Sequence, residues 1–276
     1  MSNRLIGYQP GRGFLYDLSG ASKMLFFILV SVACMATYDS RFILAVGLLS
    51  IYLFNLANIC WRDISFVVKI IGSIALFNLL MVYLFAPSYG EEIYGAKTVL
   101  IEGWGRFYLT SQELFYLANL LLKYFSTVPL AILFLMTTHP SQFAASLNQI
   151  GIPYKFAYSV SLTLRYIPDI QEEFFTIRKA QEARGLDLSQ KAGLVKRIRG
   201  NLQIVLPLIF SSLERIDTVS TAMELRRFGQ YKKRTWYVHK SLTKQDYLVI
   251  VSATLLLGIS LELIYLNHGR FYNPWI

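Results

Sequence analysis

Two stretches of this chain place the same residue types at the same spacing. Ala180-Gln181-Glu182-Ala183-Arg184-Gly185 and Ala222-Met223-Glu224-Leu225-Arg226-Arg227-Phe228-Gly229 share Ala-x-Glu-x-Arg followed by Gly, at once in the first and three residues on in the second. Arg184 and Arg226 stand 42 positions apart. Each stretch reads as the end of a helix. Gly at or beyond a C-terminus admits the left-handed cap, and Arg in the last turn complements the negative end of the helix dipole. A guanidinium on such a rigid end presents a planar fork of donors suited to a carboxylate on another protein. One Arg-Gly ending is an ordinary capped helix with a solvated charge. Two in one block suit a pair of similar receptors, such as homologous subunits offer.

Other reactive side chains form weaker patterns. Asp169, Glu172 and Glu173 are the acidic cluster an integral-membrane enzyme could use, but their place on a long amphipathic helix just after Pro168 makes a solvated face the preferred reading. His139, His239 and His268 do not cluster, so neither a zinc site nor a catalytic base is indicated. HExxH, Gly-x-Ser-x-Gly and the Gly-x4-Gly-Lys-Ser/Thr phosphate loop do not occur in the sequence. Cys34 and Cys60 fall at opposite ends of two apolar segments, so a bridge between them would have to cross a bilayer. Lys123 and Glu262 lie inside apolar runs, and a structural pair between them, or snorkelling to the outer interface, is preferred over a proton pathway.

The elements that carry these groups follow from composition. At 54% hydrophobic, 15% aromatic and 16% charged, the 276 residues are too apolar for a soluble surface. Apolar runs at residues 24–38, 42–57, 64–86, 114–138 and 247–266 predict about five transmembrane helices, the first two short. A cleaved signal peptide is disfavoured, because 23 mostly polar residues precede the first run and a second run follows almost at once. Ser19 or Ser22 reads as a helix cap before the first span.

Residues 139–246 hold 17 Lys and Arg against 9 Asp and Glu, which is +8 of the chain's +10, so this block is expected on the cytoplasmic side. The connector 88–112 carries Lys97 and Arg106 against Glu91, Glu92 and Glu102, as an outside loop would. Within the basic block, patterns at 154–184 and 194–228 predict two long amphipathic helices kinked at Pro168 and Pro207. Apolar stripes through Phe156, Ile167 and Phe174, and through Leu202, Ile209 and Ile216, should pack on each other or on the membrane surface. Lys232-Lys233-Arg234 with Tyr231, Trp236 and Tyr237 reads as a lipid-interface anchor rather than a nucleic-acid patch, and Phe271, Tyr272 and Trp275 read the same way on the far side. The expected organisation is an N-terminal segment with four spans at 1–138, a cytoplasmic coupling domain at 139–245, and a last span with an outer tail at 246–276.

On these helix ends the sequence resembles the transmembrane coupling (T) component of energy-coupling factor (ECF) transporters, ABC-type importers of vitamins and metal ions. In that family two Ala-Arg-Gly signatures end two coupling helices. The first is complete here as Ala183-Arg184-Gly185, and the second departs from it as Leu225-Arg226-Arg227, with Gly229 left to terminate the helix. The opening Tyr8-Gln9-Pro10-Gly11 and residues 18–25 resemble the family's first segment, in particular that of T components shared among several substrate-binding subunits.

The resemblance implies an all-α integral membrane protein of about five transmembrane helices plus long kinked amphipathic coupling helices. It implies two homologous ATPase subunits as partners, bound through Glu182, Ala183, Arg184, Gly185, Glu224, Arg226, Arg227 and Gly229, and a small membrane-embedded substrate-binding subunit. ATP and magnesium would sit on the ATPases, with no cofactor, metal or catalytic residue on this chain. It also implies a bacterial plasma membrane, with the N-terminus and coupling domain cytoplasmic. The competing reading is the permease of a conventional ABC importer, whose Glu-Ala-Ala loop Glu182-Ala183-Arg184-Gly185 and residues 204–207 superficially match. There the Gly comes too early and the later segment too late, and the second Arg ending is left unexplained.

Overall fold

A computed structural model describes residues 11, 13–101, 108–185, 194–231, 235–238 and 240–275, side chains at 61, 63 and 194–199 aside. In chain order the elements are α1 (Phe14–Asp17), α2 (Gly20–Ala36), α3 (Ser40–Leu56), α4 (Trp61–Phe85) and α5 (Tyr89–Tyr94). A short hairpin, β1 (Val99–Ile101) with β2 (Leu109–Thr110), follows. Then come α6 (Ser111–Thr137), α7 (Pro140–Gln149), α8 (Tyr154–Ala183), α9 (Leu194–Leu225) and α10 (Lys244–Leu266). The chain divides into two compact units, Met1–Gln142 with Lys240–Ile276, and Phe143–His239.

In the first unit each of the five apolar runs is one helix, so the expected all-α membrane fold is the fold adopted. Among the described residues, three helices contain stretches long and apolar enough to cross a membrane: Ile64–Phe85, Ser111–Thr137 and Lys244–Leu266. The apolar helices α2 and α3 have 17 residues each. At 1.5 Å per residue they are about 26 Å long, a little short of the ~30 Å hydrocarbon core. Their starts are set by polar caps. Ser19 accepts the Ser22 N–H at the head of α2, Asp39 accepts from Arg41 at α3, and Thr110 from Glu113 at α6. Thr243 and Asp246 form a reciprocal capping box at α10.

Contacts between helices fix their directions. Lys23 Nζ donates to the Thr137 carbonyl at 2.8 Å and Lys123 Nζ to the Met35 carbonyl at 3.2 Å, which makes α2 and α6 antiparallel. Ala57 packs with Leu133, and Ile64 with Ile132 and Met136, bringing the end of α3 and the start of α4 to the end of α6. Asp246 Oδ1 accepts from the Ser19 N–H at 2.7 Å and the Ser22 hydroxyl at 2.6 Å, while Oδ2 accepts from the Thr243 N–H and hydroxyl, both at 2.7 Å. At the other end Asn267 Nδ2 donates to Asp39 Oδ2 at 3.0 Å. So α2 and α10 are parallel and tied at both ends. The starts of α2, α4 and α10 and the ends of α3 and α6 therefore share one face. Val30, Cys34, Ile43, Val46, Leu130 and Ala253 form the core between them.

Several sequence expectations change here. Lys123 does not pair with Glu262. Its ammonium lies 3.2 Å from the centre of the Tyr38 ring, a cation–π contact beside the Met35 carbonyl, whereas Glu262 is exposed on α10. The aromatic tail is not spread on the interface. Phe271 stacks on Tyr38 at 4.5 Å, and Trp275 lies against Tyr94 and Phe115 at 5.3 and 5.4 Å. Tyr272 takes the Arg41 guanidinium by hydrogen bond and over its ring. Burial pushes the Tyr94 phenol up to about 12, so it stays neutral in this cluster.

The connector 88–112 is not a plain loop, since it contains α5 and the hairpin. Gly90 is required there: a Cβ would lie 2.6 Å from the Glu113 backbone nitrogen, and the Gly90 N–H donates to Glu113 Oε2 at 2.8 Å. Cys34 is buried and Cys60 exposed, both as free thiols. Residues 8–10 of the opening segment, Glu102, Arg106, the basic run Lys232-Lys233-Arg234 and His239 lie outside the described residues.

Candidate functional site

The second unit holds both arginine endings. Its helices α8 and α9 run through Pro168 and Pro207. They lie antiparallel. Glu173 Oε2 accepts from Arg215 Nη2 at 2.9 Å, Asp169 Oδ2 lies 3.9 Å from Arg215 Nη1, and the Ser211 hydroxyl donates to Glu173. Further along, the Tyr158 ring meets the Phe228 ring at 4.7 Å. This register sends the end of α9 back beside the start of α8. Arg226 and Arg184 thus belong to opposite ends of the helix pair, about 39 Å apart along α8 at 1.5 Å per residue from Tyr158 to Arg184.

The two endings share their backbone geometry. Arg184 is the C-cap of α8, its N–H donating to the Ala180 and Gln181 carbonyls. Gly185 follows at φ 88 and donates to the Glu182 carbonyl at 3.0 Å. At α9 the Arg226 N–H donates to the Ala222 carbonyl at 3.2 Å, Arg227 to the Glu224 carbonyl at 2.8 Å and Phe228 to the Met223 carbonyl at 2.9 Å. That bond pair is a Schellman motif with Arg226 at the cap position and Arg227, at φ 54, as the left-handed residue. Arg184 and Arg226 therefore hold equivalent places, and Glu182 and Glu224 are equivalent two residues earlier. Gly229, expected to terminate the helix, instead makes a second reversal at φ 82 after the helix has already ended. A Cβ on it would meet the Lys155 side chain at 3.1 Å.

The α9 ending is braced. Phe228 packs on Tyr154 and Tyr158 at 5.4 and 4.7 Å, and Trp236 lies against both tyrosines while its indole N–H donates to Asn148 Oδ1 at 3.1 Å. This packing holds Arg227 in a conformation that side-chain-bearing residues seldom adopt. At the α8 ending Glu182 is engaged by Arg178 at 2.9 Å, an i,i+4 pair on the same helix, so it does not orient Arg184. Ala183, Arg184, Gly185, Glu224, Arg226 and Arg227 are all exposed, and Leu225 is 82% exposed.

The proposed enzyme cluster comes apart. Asp169 and Glu173 belong to the Arg215 clamp, while Glu172 is exposed on α8. Among the described residues no three His, Cys, Asp or Glu side chains come together as a metal site. The apolar stripes pack on one another only in part. Phe156 (59%), Ile167 (45%), Ile209 (47%) and Ile216 (60%) remain exposed, which leaves a large apolar area uncovered on the pair. The Arg215 clamp and the aromatic brace were not visible in the sequence. The only signal was the i,i+4 spacing of Asp169 and Glu173, which puts both carboxylates on one helix face.

A membrane-embedded helical unit combined with two long antiparallel helices, each ending in an exposed arginine cap, defines a membrane component built to engage other proteins. Residues 13–237 match the family model of CbiQ, cobalt transport protein. Over 94% of this chain and 97% of its own length, the energy-coupling factor transporter transmembrane protein EcfT of Exiguobacterium sibiricum is 30% identical. The EcfT proteins of Lactococcus lactis subsp. cremoris and Staphylococcus aureus are 25% and 24% identical, over 93% and 98% of this chain and 96% and 99% of theirs. The chain belongs to this family of energy-coupling factor transporter transmembrane proteins, as the paired helix endings led us to expect.

Proposed function

We propose that the chain is the coupling subunit of an ECF-type ABC importer, passing an ATP-driven movement to a small membrane-embedded subunit that binds the transported vitamin or similar micronutrient. The observation that carries this reading is the equivalence of Arg184 and Arg226, two exposed cap arginines in matching backbone settings at opposite ends of one antiparallel pair. Two related ATPase subunits, holding ATP and magnesium, would each receive one ending, with Ala183, Gly185, Arg227 and Gly229 shaping the contact. Glu182 and Glu224 flank it. The chain itself is non-catalytic and holds no cofactor.

In this reading the exposed apolar faces of α8 and α9 are the sliding surface for the substrate-binding subunit. The protein is a multi-pass component of the bacterial plasma membrane, with its N-terminus, α8 and α9 on the cytoplasmic side. The shared face where α2, α4 and α10 start agrees with five alternating spans, and the +8 charge between residues 139 and 246 supports the orientation.

The test is substitution of each cap arginine. Removing one partner of a buried interfacial charge pair typically weakens association by about 2–5 kcal/mol. Arg184→Ala should therefore release one ATPase from the purified complex, or leave it bound with hydrolysis uncoupled from uptake. Arg226→Ala should act on the other ATPase. Normal assembly together with normal uptake in both variants would refute the assignment.

A further inference from the structure

Within the first unit, α1, α2, α3, α6 and α10 line a half-open cavity of about 400 Å³ whose walls are almost wholly apolar. Leu15, Phe27, Leu53, Phe134 and Leu256 represent its lining, and one charged side chain, Lys23, lines it as well. Along α10 it extends from Val249 to Ile259. That is about 15 Å of helix, or half of a ~30 Å hydrocarbon core. The cavity therefore spans one leaflet, beginning at the face where α2 and α10 start.

Lys23 marks that end with an unmet requirement. The residue is 7% exposed, and an ammonium has three donors. Its one hydrogen-bond acceptor among the described residues is the Thr137 carbonyl. Lys240 is within electrostatic range and adds positive charge; the acidic neighbours are Asp17, which is exposed, and Asp246, whose oxygens already accept four hydrogen bonds. An acyl-chain-length apolar slot that ends at a buried, under-satisfied cation fits an amphiphile with an anionic head.

We propose that this cavity binds one acyl chain of an anionic phospholipid from the leaflet on that face, with the lipid phosphate held by the Lys23 ammonium. The inference rests on the membrane-embedded fold and not on the coupling function. A second apolar groove, between α3, α4 and α6, has Asn55, Asn58 and Tyr124 as its polar side chains and no cation in its lining.

Native mass spectrometry of the delipidated full chain, titrated with phosphatidylglycerol or phosphatidylcholine of identical acyl composition, tests the proposal. One phosphatidylglycerol should be retained about fivefold or more tightly than phosphatidylcholine, because both carry the phosphate but only in phosphatidylcholine does a quaternary ammonium cancel the charge that Lys23 meets. Ser252→Phe, which fills the cavity, should abolish retention of that lipid. Lys23→Gln should reduce retention of phosphatidylglycerol to the phosphatidylcholine level. Equal retention of the two lipids by the unmodified chain would overturn the proposal whether or not the variants fold. So would unchanged retention in a monodisperse Ser252→Phe protein, or displacement of phosphatidylglycerol by an equal concentration of free laurate, which would assign the slot to a fatty acid.

Discussion

The clamp between α8 and α9 can be tested by a double-mutant cycle on Arg215 and Glu173. Their side chains are 36% and 19% exposed and meet at 2.9 Å, with Ser211 also donating to the carboxylate. A fully exposed pair would contribute ~0.2–1 kcal/mol, whereas a hydrogen bond to a charged group away from water contributes ~1.5–3 kcal/mol. The half-shielded geometry puts the coupling near the lower end of the second range, about 1.5 kcal/mol. Two prolines sharpen the expectation. Pro168 stands next to Asp169, and Pro207 one turn before Ser211, so the backbone ladder of each helix is interrupted close to the clamp.

Arg215→Ala should destabilise more than Glu173→Ala. It strands a carboxylate that is four-fifths buried, whereas the arginine left by Glu173→Ala can turn to Asp169 or water. Thermal unfolding of the detergent-solubilised chain provides the readout. For a protein of this size, about 1.5 kcal/mol corresponds to a midpoint shift of roughly 3–6 °C. The charge-swapped chain, Glu173→Arg with Arg215→Glu, should recover more than half of the loss caused by either reversal alone. If the two alanine effects simply add to within ~0.5 kcal/mol, the clamp contributes nothing as a pair, and α8 and α9 are held by apolar packing alone.

Two further outcomes follow from backbone and cap geometry. Arg227→Gly should raise the unfolding midpoint by about 1–3 °C, because a left-handed conformation costs a side-chain-bearing residue ~1–2 kcal/mol and glycine much less, offset in part by glycine's freedom in the unfolded chain; a lowered midpoint would mean that the Arg227 side chain makes a stabilising contact within the fold. Asp246→Asn turns one acceptor oxygen into a donor among four donors, and loss of these charge-assisted bonds should destabilise by ~2–4 kcal/mol. Hydrogen exchange at residues 19–23 and 243–247 should accelerate together, and unchanged protection there would count against the shared anchor.

How much of this was legible in the sequence depends on the range of each interaction. The five apolar runs, the cap at Ser19 and the twin arginine endings are local, written within one or two turns of chain, and each appears where the residue pattern puts it. Partner choice is not local. Lys123 had Glu262 as the nearest formal countercharge in a one-dimensional topology, yet in the fold it meets the π face of Tyr38 and a carbonyl. Neither contact carries a sequence signature. The same holds for Phe271 and Trp275, whose ring contacts with Tyr94, Phe115 and Tyr116 depend on α5 and α6 arriving beneath them.

At the α9 ending the sequence pointed to the glycine, because glycine adopts positive φ without strain. The structure turns at Arg227 instead, since packing of Phe228 against Tyr154 and Tyr158 sets where the chain must reverse. Nor could the apolar stripes show which face pairs inside the chain, because surfaces awaiting a partner and surfaces meeting a sister helix have the same composition.

The Asp246 anchor also constrains the order in which the protein can be made. Its carboxylate is synthesised 224 residues after the Ser22 hydroxyl that it accepts from. Until α10 inserts, the head of α2 sits in the bilayer with Ser19 and Ser22 lacking their buried acceptor, although the helices around it can already be in place. A nascent chain stalled or truncated before residue 246 would therefore display polar groups at its first span, a mark that membrane quality control could read. α10 thus closes the head of α2, and the shared anchor can form only once residue 246 has been made.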